Sequence, residues 1–200
     1  MSTVCKNVSG DVIFLVDGSE SISEEDFQKI KDFVKSIISK TAISEDGVHV
    51  GIMQYSTEYK LEFPLNKHYN IDEMFRDIDI MQQISQGTNT GEAIRAVSEY
   101  FNRNNGGRPE LQQKLVVLTD GKSKDDVSVP AAALREKGVT IYAIGVADAN
   151  AVELEIISGS KQRVYFDKDF DALKSWESQV VVELCKAGES PGMSLNSTFG

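Results

Sequence analysis

Unbroken apolar runs, spaced by stretches of helical period, constrain this chain more than any other feature. Val12-Ile13-Phe14-Leu15-Val16, within a strand expected over 11–16, has no polar face to turn toward water. Such a strand belongs inside a parallel sheet covered on both sides. The runs at 114–119 and 139–146 read the same way, and a short last strand is expected over 163–166. Between them the apolar residues recur at helical spacing. A helix over 23–40 carries Phe27, Ile30, Val34, Ile37 and Ile38 on one stripe. Others are expected over 71–80, 91–102, 127–137 (closed by Gly138), 151–157 and 171–184, the last with Leu173, Trp176, Val180 and Leu184 facing one way.

Two further strands, 48–55 and 59–63, are separated by Ser56-Thr57-Glu58 alone. A gap so short permits a hairpin and forbids a parallel crossover, so the second strand runs antiparallel at an edge and stops at Pro64. With right-handed crossovers elsewhere, the result is an α/β doubly wound (Rossmann-like) sheet of six mainly parallel strands. Its expected order is 3-2-1-4-5-6, with helices on both faces. The chain then reverses direction between the first and fourth strands, and open α/β sheets bind ligands in the crevice at such a point. Asp17 ends the first strand and Asp120 follows the fourth, so two carboxylates meet there.

Two hundred residues, 40% of them hydrophobic, suffice for one substantial core. The reading is a single domain over 1–185 and a Gly- and Ser-containing linker over 186–200. A net charge of -10 argues against nucleic acid or an anionic membrane as partner. It favours cations or basic protein surfaces, and equally fits an ordinary soluble surface. No apolar run approaches the ~20 residues of a membrane span. The opening Met1-Ser2-Thr3-Val4 lacks the basic and apolar regions of a secretion signal, which leaves a cytosolic protein or a segment of a longer secreted chain.

Cys5 and Cys185 are the only cysteines and bracket the expected fold. A parallel α/β domain often brings its ends together, so a disulfide between them is geometrically reasonable; two buried free thiols are the alternative. Asn7-Val8-Ser9 and Asn196-Ser197-Thr198 fit the N-glycosylation pattern, making Asn7 and Asn196 acceptor candidates. Flanking cysteines and acceptor triplets together favour an oxidising, extracellular setting.

Three segments supply hard oxygen ligands of the kind Mg²⁺ takes in an octahedron. They are Asp17-Gly18-Ser19-Glu20-Ser21, Thr88-Asn89-Thr90 and Thr119-Asp120-Gly121. Each has a purely structural reading. Ser21 with Glu24 fits a helix capping box. Thr88 or Thr90 fits a cap for the helix beginning at Gly91. Asp120-Gly121 fits a simple turn. Those readings do not explain why the oxygens converge on one crevice from three loops.

In this order and spacing the segments resemble the metal-ion-dependent adhesion site of von Willebrand factor type A (integrin I-like) domains, and the resemblance extends over roughly 8–184. The opening 11–22 and the flanking cysteines are similar to A domains of extracellular-matrix proteins of the collagen VI/XII-like and matrilin-like type. The resemblance implies Asp17, Ser19, Ser21, Thr88 and Asp120 as ligands of Mg²⁺, with Mn²⁺ as a possible substitute. The serines would bind directly, the threonine mainly in a high-affinity state, and the aspartates directly or through water. An acidic side chain from a partner would complete the shell.

The implied role is a secreted adhesion or matrix-assembly module in a multidomain chain, binding collagen or another matrix protein. The alternative is a structural spacer with an idle metal site. Residues 147–151 leave no room for the extra short helix of collagen-binding integrin I domains. In I-like domains the metal site is coupled to sliding of the last helix, and a bonded Cys185 would limit that travel. An enzyme is not expected, since no glycine-rich phosphate loop is present and no Cys-His or Ser-His pairing is evident.

Overall fold

The strands form because β-branched and aliphatic residues cluster where the chain must be buried on both faces. In the computed structural model, which describes Cys5 and residues 7–186, the order is β1 (Gly10–Asp17), α1 (Glu24–Ser39), β2 (Val48–Tyr55), β3 (Tyr59–Phe63), α2 (Ile71–Asp79) and α3 (Thr90–Ser98). It continues with β4 (Gln112–Thr119), α4 (Ser128–Glu136), β5 (Val139–Gly145), α5 (Ala151–Ser158), β6 (Val164–Phe166) and α6 (Ala172–Cys185). The six strands lie in the order β3-β2-β1-β4-β5-β6, and β3 alone runs antiparallel to its neighbour.

The two faces of β1 seed two cores, as strand alternation requires. Val12, Phe14 and Val16 face the side covered by α1, α2 and α6, where Phe27, Ile30, Ile37, Met74, Ile78, Val180 and Leu184 are buried. Ile13 and Leu15 face the side of α3, α4 and α5, with Ile94, Val97, Leu134 and Leu154. Both faces of the central strands are therefore closed to water, while the edge strands β3 and β6 stay partly exposed. No helix among the described residues is long and apolar enough to cross a membrane.

Three local expectations are corrected. The cap of α1 is Ser23, whose Oγ accepts the Asp26 N–H at 3.1 Å, and not Ser21. The third helix begins at Thr90, so Thr90 is its first residue and not its cap. It ends at Ser98, followed by a single 3₁₀ turn over Glu99–Phe101. The backbone leaves helical geometry at Asn102 (φ -73°, ψ 150°), and the Phe101 carbonyl just before it accepts the Gln113 side-chain amide from β4 at 2.8 Å, a partner the local sequence does not reveal.

At the opposite pole from the Asp17 crevice, Cys5 and Cys185 are disulfide-bonded with Cα atoms 5.5 Å apart. The Lys114 ammonium donates to the carbonyls of Glu183, Leu184 and Lys186 at 3.1, 2.9 and 2.9 Å, so the end of α6 is held from two directions. Asn7 is exposed, while Asn196 and the expected linker beyond Lys186 lie outside the described residues.

Candidate metal centre

The parallel pairing of β1 with β4, Val16 opposite Leu118, places Asp17 beside Thr119 and Asp120 at one end of the sheet. Asp17 is completely buried and Asp120 nearly so, at 4% exposure. Asp17 Oδ1 accepts the Ser19 N–H at 2.8 Å, which folds the first loop back on itself. Its Oδ2 accepts the Thr119 hydroxyl at 2.7 Å and the Asp120 N–H at 3.4 Å. The Ser21 hydroxyl donates to Asp120 Oδ2 at 2.7 Å, and the Ser19 hydroxyl to Asp120 Oδ1 at 3.3 Å, with the two serine oxygens 3.0 Å apart.

Asp17, Ser19, Ser21 and Asp120 are thus gathered in one hydrogen-bonded cluster. Thr88 is not bonded to it. That residue is buried on an adjoining loop, with its carbonyl accepting the Lys124 N–H at 2.9 Å. Thr90 is turned elsewhere, its hydroxyl paired with the buried Tyr55 hydroxyl at 3.1 Å.

Burial, reinforced by the charge of Asp120, pushes the Asp17 carboxyl up to about 6. Neither aspartate forms an ion pair with Lys, Arg or His among the described residues. Nor do three or more His, Cys, Asp or Glu side chains come together there as a metal cage. A cation at this site would rest on two carboxylates and a set of hydroxyls. Such a donor set fits a hard divalent ion: every ligand atom is oxygen, and two buried like charges lack a counter-charge.

Several residues that sequence reasoning missed hold the loops in place. Gln83 Nε2 donates to the Ser19 and Ile22 carbonyls at 2.9 and 2.8 Å, spanning the serine-bearing loop. Gln54, fully buried at the end of β2, accepts the Ile84 N–H at 2.7 Å and donates to the Gln82 carbonyl at 2.9 Å. Gly18 is required beside it, because a Cβ there would overlap the Gln54 amide. The Ser56 hydroxyl donates to the Gly87 carbonyl at 2.7 Å and accepts the Gln86 N–H at 2.8 Å. A lone glutamine in the apolar run 48–55 was the available signal.

Residues 11–179 match the family model for the von Willebrand factor type A domain. Among curated relatives, the collagen alpha-4(VI) chain of Mus musculus is 38% identical over 98% of this chain, which spans 8% of that protein. The collagen alpha-5(VI) chain of Mus musculus is 42% identical over 90% of this chain and 7% of its own. Matrilin-2 of Mus musculus is 33% identical over 91% of this chain and 20% of its own. This chain therefore spans only a small part of these relatives. A structure of proximal thread matrix protein 1 from the mussel byssus superposes with a TM-score of 0.85 at 32% identity, over 90% of this chain and 48% of that one. The same mussel protein has been solved with zinc in its MIDAS motif, again at a TM-score of 0.85 and 32% identity, over 89% and 48% of the two chains.

Proposed function

We propose, from the premise that this chain belongs to the von Willebrand factor type A domain family, that it is an adhesion or assembly module of a secreted matrix protein. In this reading Asp17, Ser19, Ser21, Thr88 and Asp120 hold a divalent cation, Mg²⁺ or its substitute Mn²⁺. The observation that carries it is the cluster of two buried carboxylates and two hydroxyls drawn from loops about one hundred residues apart. The matrix setting is supported by the collagen VI and matrilin relatives and by the Cys5–Cys185 disulfide.

Bound there, a hard divalent ion supplies a Lewis-acidic position for a partner's carboxylate. The chain's own residues do the rest. Asp17 and Asp120 provide buried negative charge beneath the exposed Ser21. Ser19 and Ser21 donate their hydroxyl protons to Asp120, which leaves oxygen lone pairs to offer a cation. Two carboxylates and neutral hydroxyls leave the shell open to an acidic side chain from collagen or another matrix protein. The reading assigns binding rather than catalysis. It also takes 1–185 as one domain within a longer chain, with Asn7 and Asn196 as glycan acceptors.

Binding of the wild-type chain and of Asp17→Ala to immobilised collagens, in Mg²⁺ and in EDTA, tests the mechanism. Loss of binding in EDTA and in the variant is expected. A partner whose affinity ignores both would rule out a metal-bridged contact and leave the spacer role.

A further inference from the structure

The loop after β4 carries Asp120 and, five residues on, Asp125, which reaches across to the start of α3 just beyond Thr88. Asp125 Oδ1 accepts the Gly91 N–H at 2.8 Å and Oδ2 accepts the Glu92 N–H at 2.8 Å. Ser123 Oγ accepts the Thr90 N–H at 3.0 Å and donates to Asp125 Oδ1 at 2.6 Å. The residue preceding α3, Asn89, provides no side-chain cap. The first three amides of α3 are therefore satisfied by side chains 33 or 34 residues away.

The backbone joins the same contact, with the Lys124 N–H donating to the Thr88 carbonyl at 2.9 Å. From the far side Glu153 of α5 accepts the Ser123 N–H at 2.9 Å, so the loop is bolted between two helices. Space is as restricted as bonding, since a Cβ at Gly91 would overlap the Asp126 carbonyl. A carboxylate suits the position. It presents two acceptors to two adjacent N–H groups and places negative charge at the positive end of the helix dipole. An amide side chain there has only one acceptor oxygen.

We propose that Asp125 is a positioning residue of the metal centre: its two-oxygen grip on α3 sets the separation between Asp120 and Thr88 without itself touching the ion. The inference rests on the cation-binding reading of that cluster and names the residue that ties the Thr88-bearing segment to it. The neighbouring Asp126 provides a matched contrast. It caps α4, accepting the Ser128 and Val129 N–H groups at 3.3 and 3.1 Å, and makes no side-chain bond to α3 among the described residues.

Mn²⁺ titrated calorimetrically into the whole chain, with EPR spectra of the bound ion, tests the assignment on wild type, Asp125→Ala, Asp125→Asn and Asp126→Ala. Thermal midpoints in EDTA record the stability of each. Asp125→Ala is expected to weaken Mn²⁺ binding about 10- to 100-fold, the usual effect of losing a residue that orients metal ligands. Asp125→Asn should fall between it and wild type. Asp126→Ala should bind Mn²⁺ as wild type does, with an unchanged EPR spectrum, despite losing a helix cap. Asp125→Ala binding like wild type, or Asp126→Ala weakening it equally, would overturn the positioning role and leave the cation site standing. A wild-type chain that takes up no Mn²⁺ would overturn both. Where Asp125→Ala does not fold, Asp125→Asn against Asp126→Ala decides by the same comparison.

Discussion

Asp17→Asn separates two consequences of one buried carboxylate: charge held ready for a cation, and a cost to the metal-free fold. Burial and the facing Asp120 raise the carboxyl from its ordinary 3.8 to about 6. At about 1.4 kcal/mol for each pH unit between those values, the ionised group costs the metal-free fold about 3 kcal/mol at neutral pH. The folded chain binds this proton more tightly than the unfolded chain. The cost is therefore absent below pH 3.8, grows between 3.8 and about 6, and is complete above. Asparagine keeps one oxygen for the Ser19 N–H. Its amide nitrogen meets Thr119 Oγ1, which has the Gly121 carbonyl at 3.1 Å as an alternative acceptor for its own proton. Only the long 3.4 Å contact from the Asp120 N–H is left without its acceptor. A net gain of about 1–3 kcal/mol is expected at pH 7 in EDTA, together with loss of Mn²⁺ uptake. Urea unfolding in EDTA from pH 4 to 8 measures it, and the advantage over wild type should shrink as the pH falls. A variant less stable than wild type at pH 7, or a gain undiminished at pH 4, would refute the reasoning.

Replacing both cysteines by serine opens a loop of 180 residues, worth nominally about 5 kcal/mol; a large fall in the urea midpoint is expected, and an unchanged one would contradict it. Burial pulls the Lys114 ammonium down to about 8 from 10.5, so between those values the unfolded chain binds more protons and this group makes stability rise with pH. Lys114→Met should flatten that slope in urea midpoints taken across the same window. Gly18→Ala drives a Cβ into the Gln54 amide and should cost about 1–3 kcal/mol by thermal unfolding, where an unaltered midpoint would show that the loop yields freely.

Most of the architecture is legible in the chain because its signals are local. The run 12–16 is apolar on both faces and lies in the central strand; the three-residue gap after Tyr55 forces the antiparallel edge. Acidic Glu24, Glu25 and Asp26 crowd the first turn of α1, where the helix dipole favours them. Caps were harder. Ser21 and Ser23 both precede the helix, and local pattern does not distinguish the one whose hydroxyl turns inward to the Asp26 N–H from the one drawn toward Asp120. The start of α3 is not legible locally because its first amides are held by Ser123 and Asp125 from the loop after β4, and local pattern does not separate its last turn from the 3₁₀ turn over Glu99–Phe101.

From residue types and spacing alone come the strand order, the helix faces and the meeting of Asp17 with Asp120; the set of five oxygen-bearing candidates comes from the resemblance those segments carry. Periodicity and loop length act over a few residues and leave direct marks in the chain. Only the tertiary structure decided which of the five share hydrogen bonds. It also decided that Thr88 is joined to Asp120's loop through its backbone, and that Gln54, Gln83, Ser123 and Asp125 hold the loops apart or together. Those contacts depend on the register of β1 against β4 and on loop packing across separations of about 30 to 100 residues, where neither partner carries a local sign of the other.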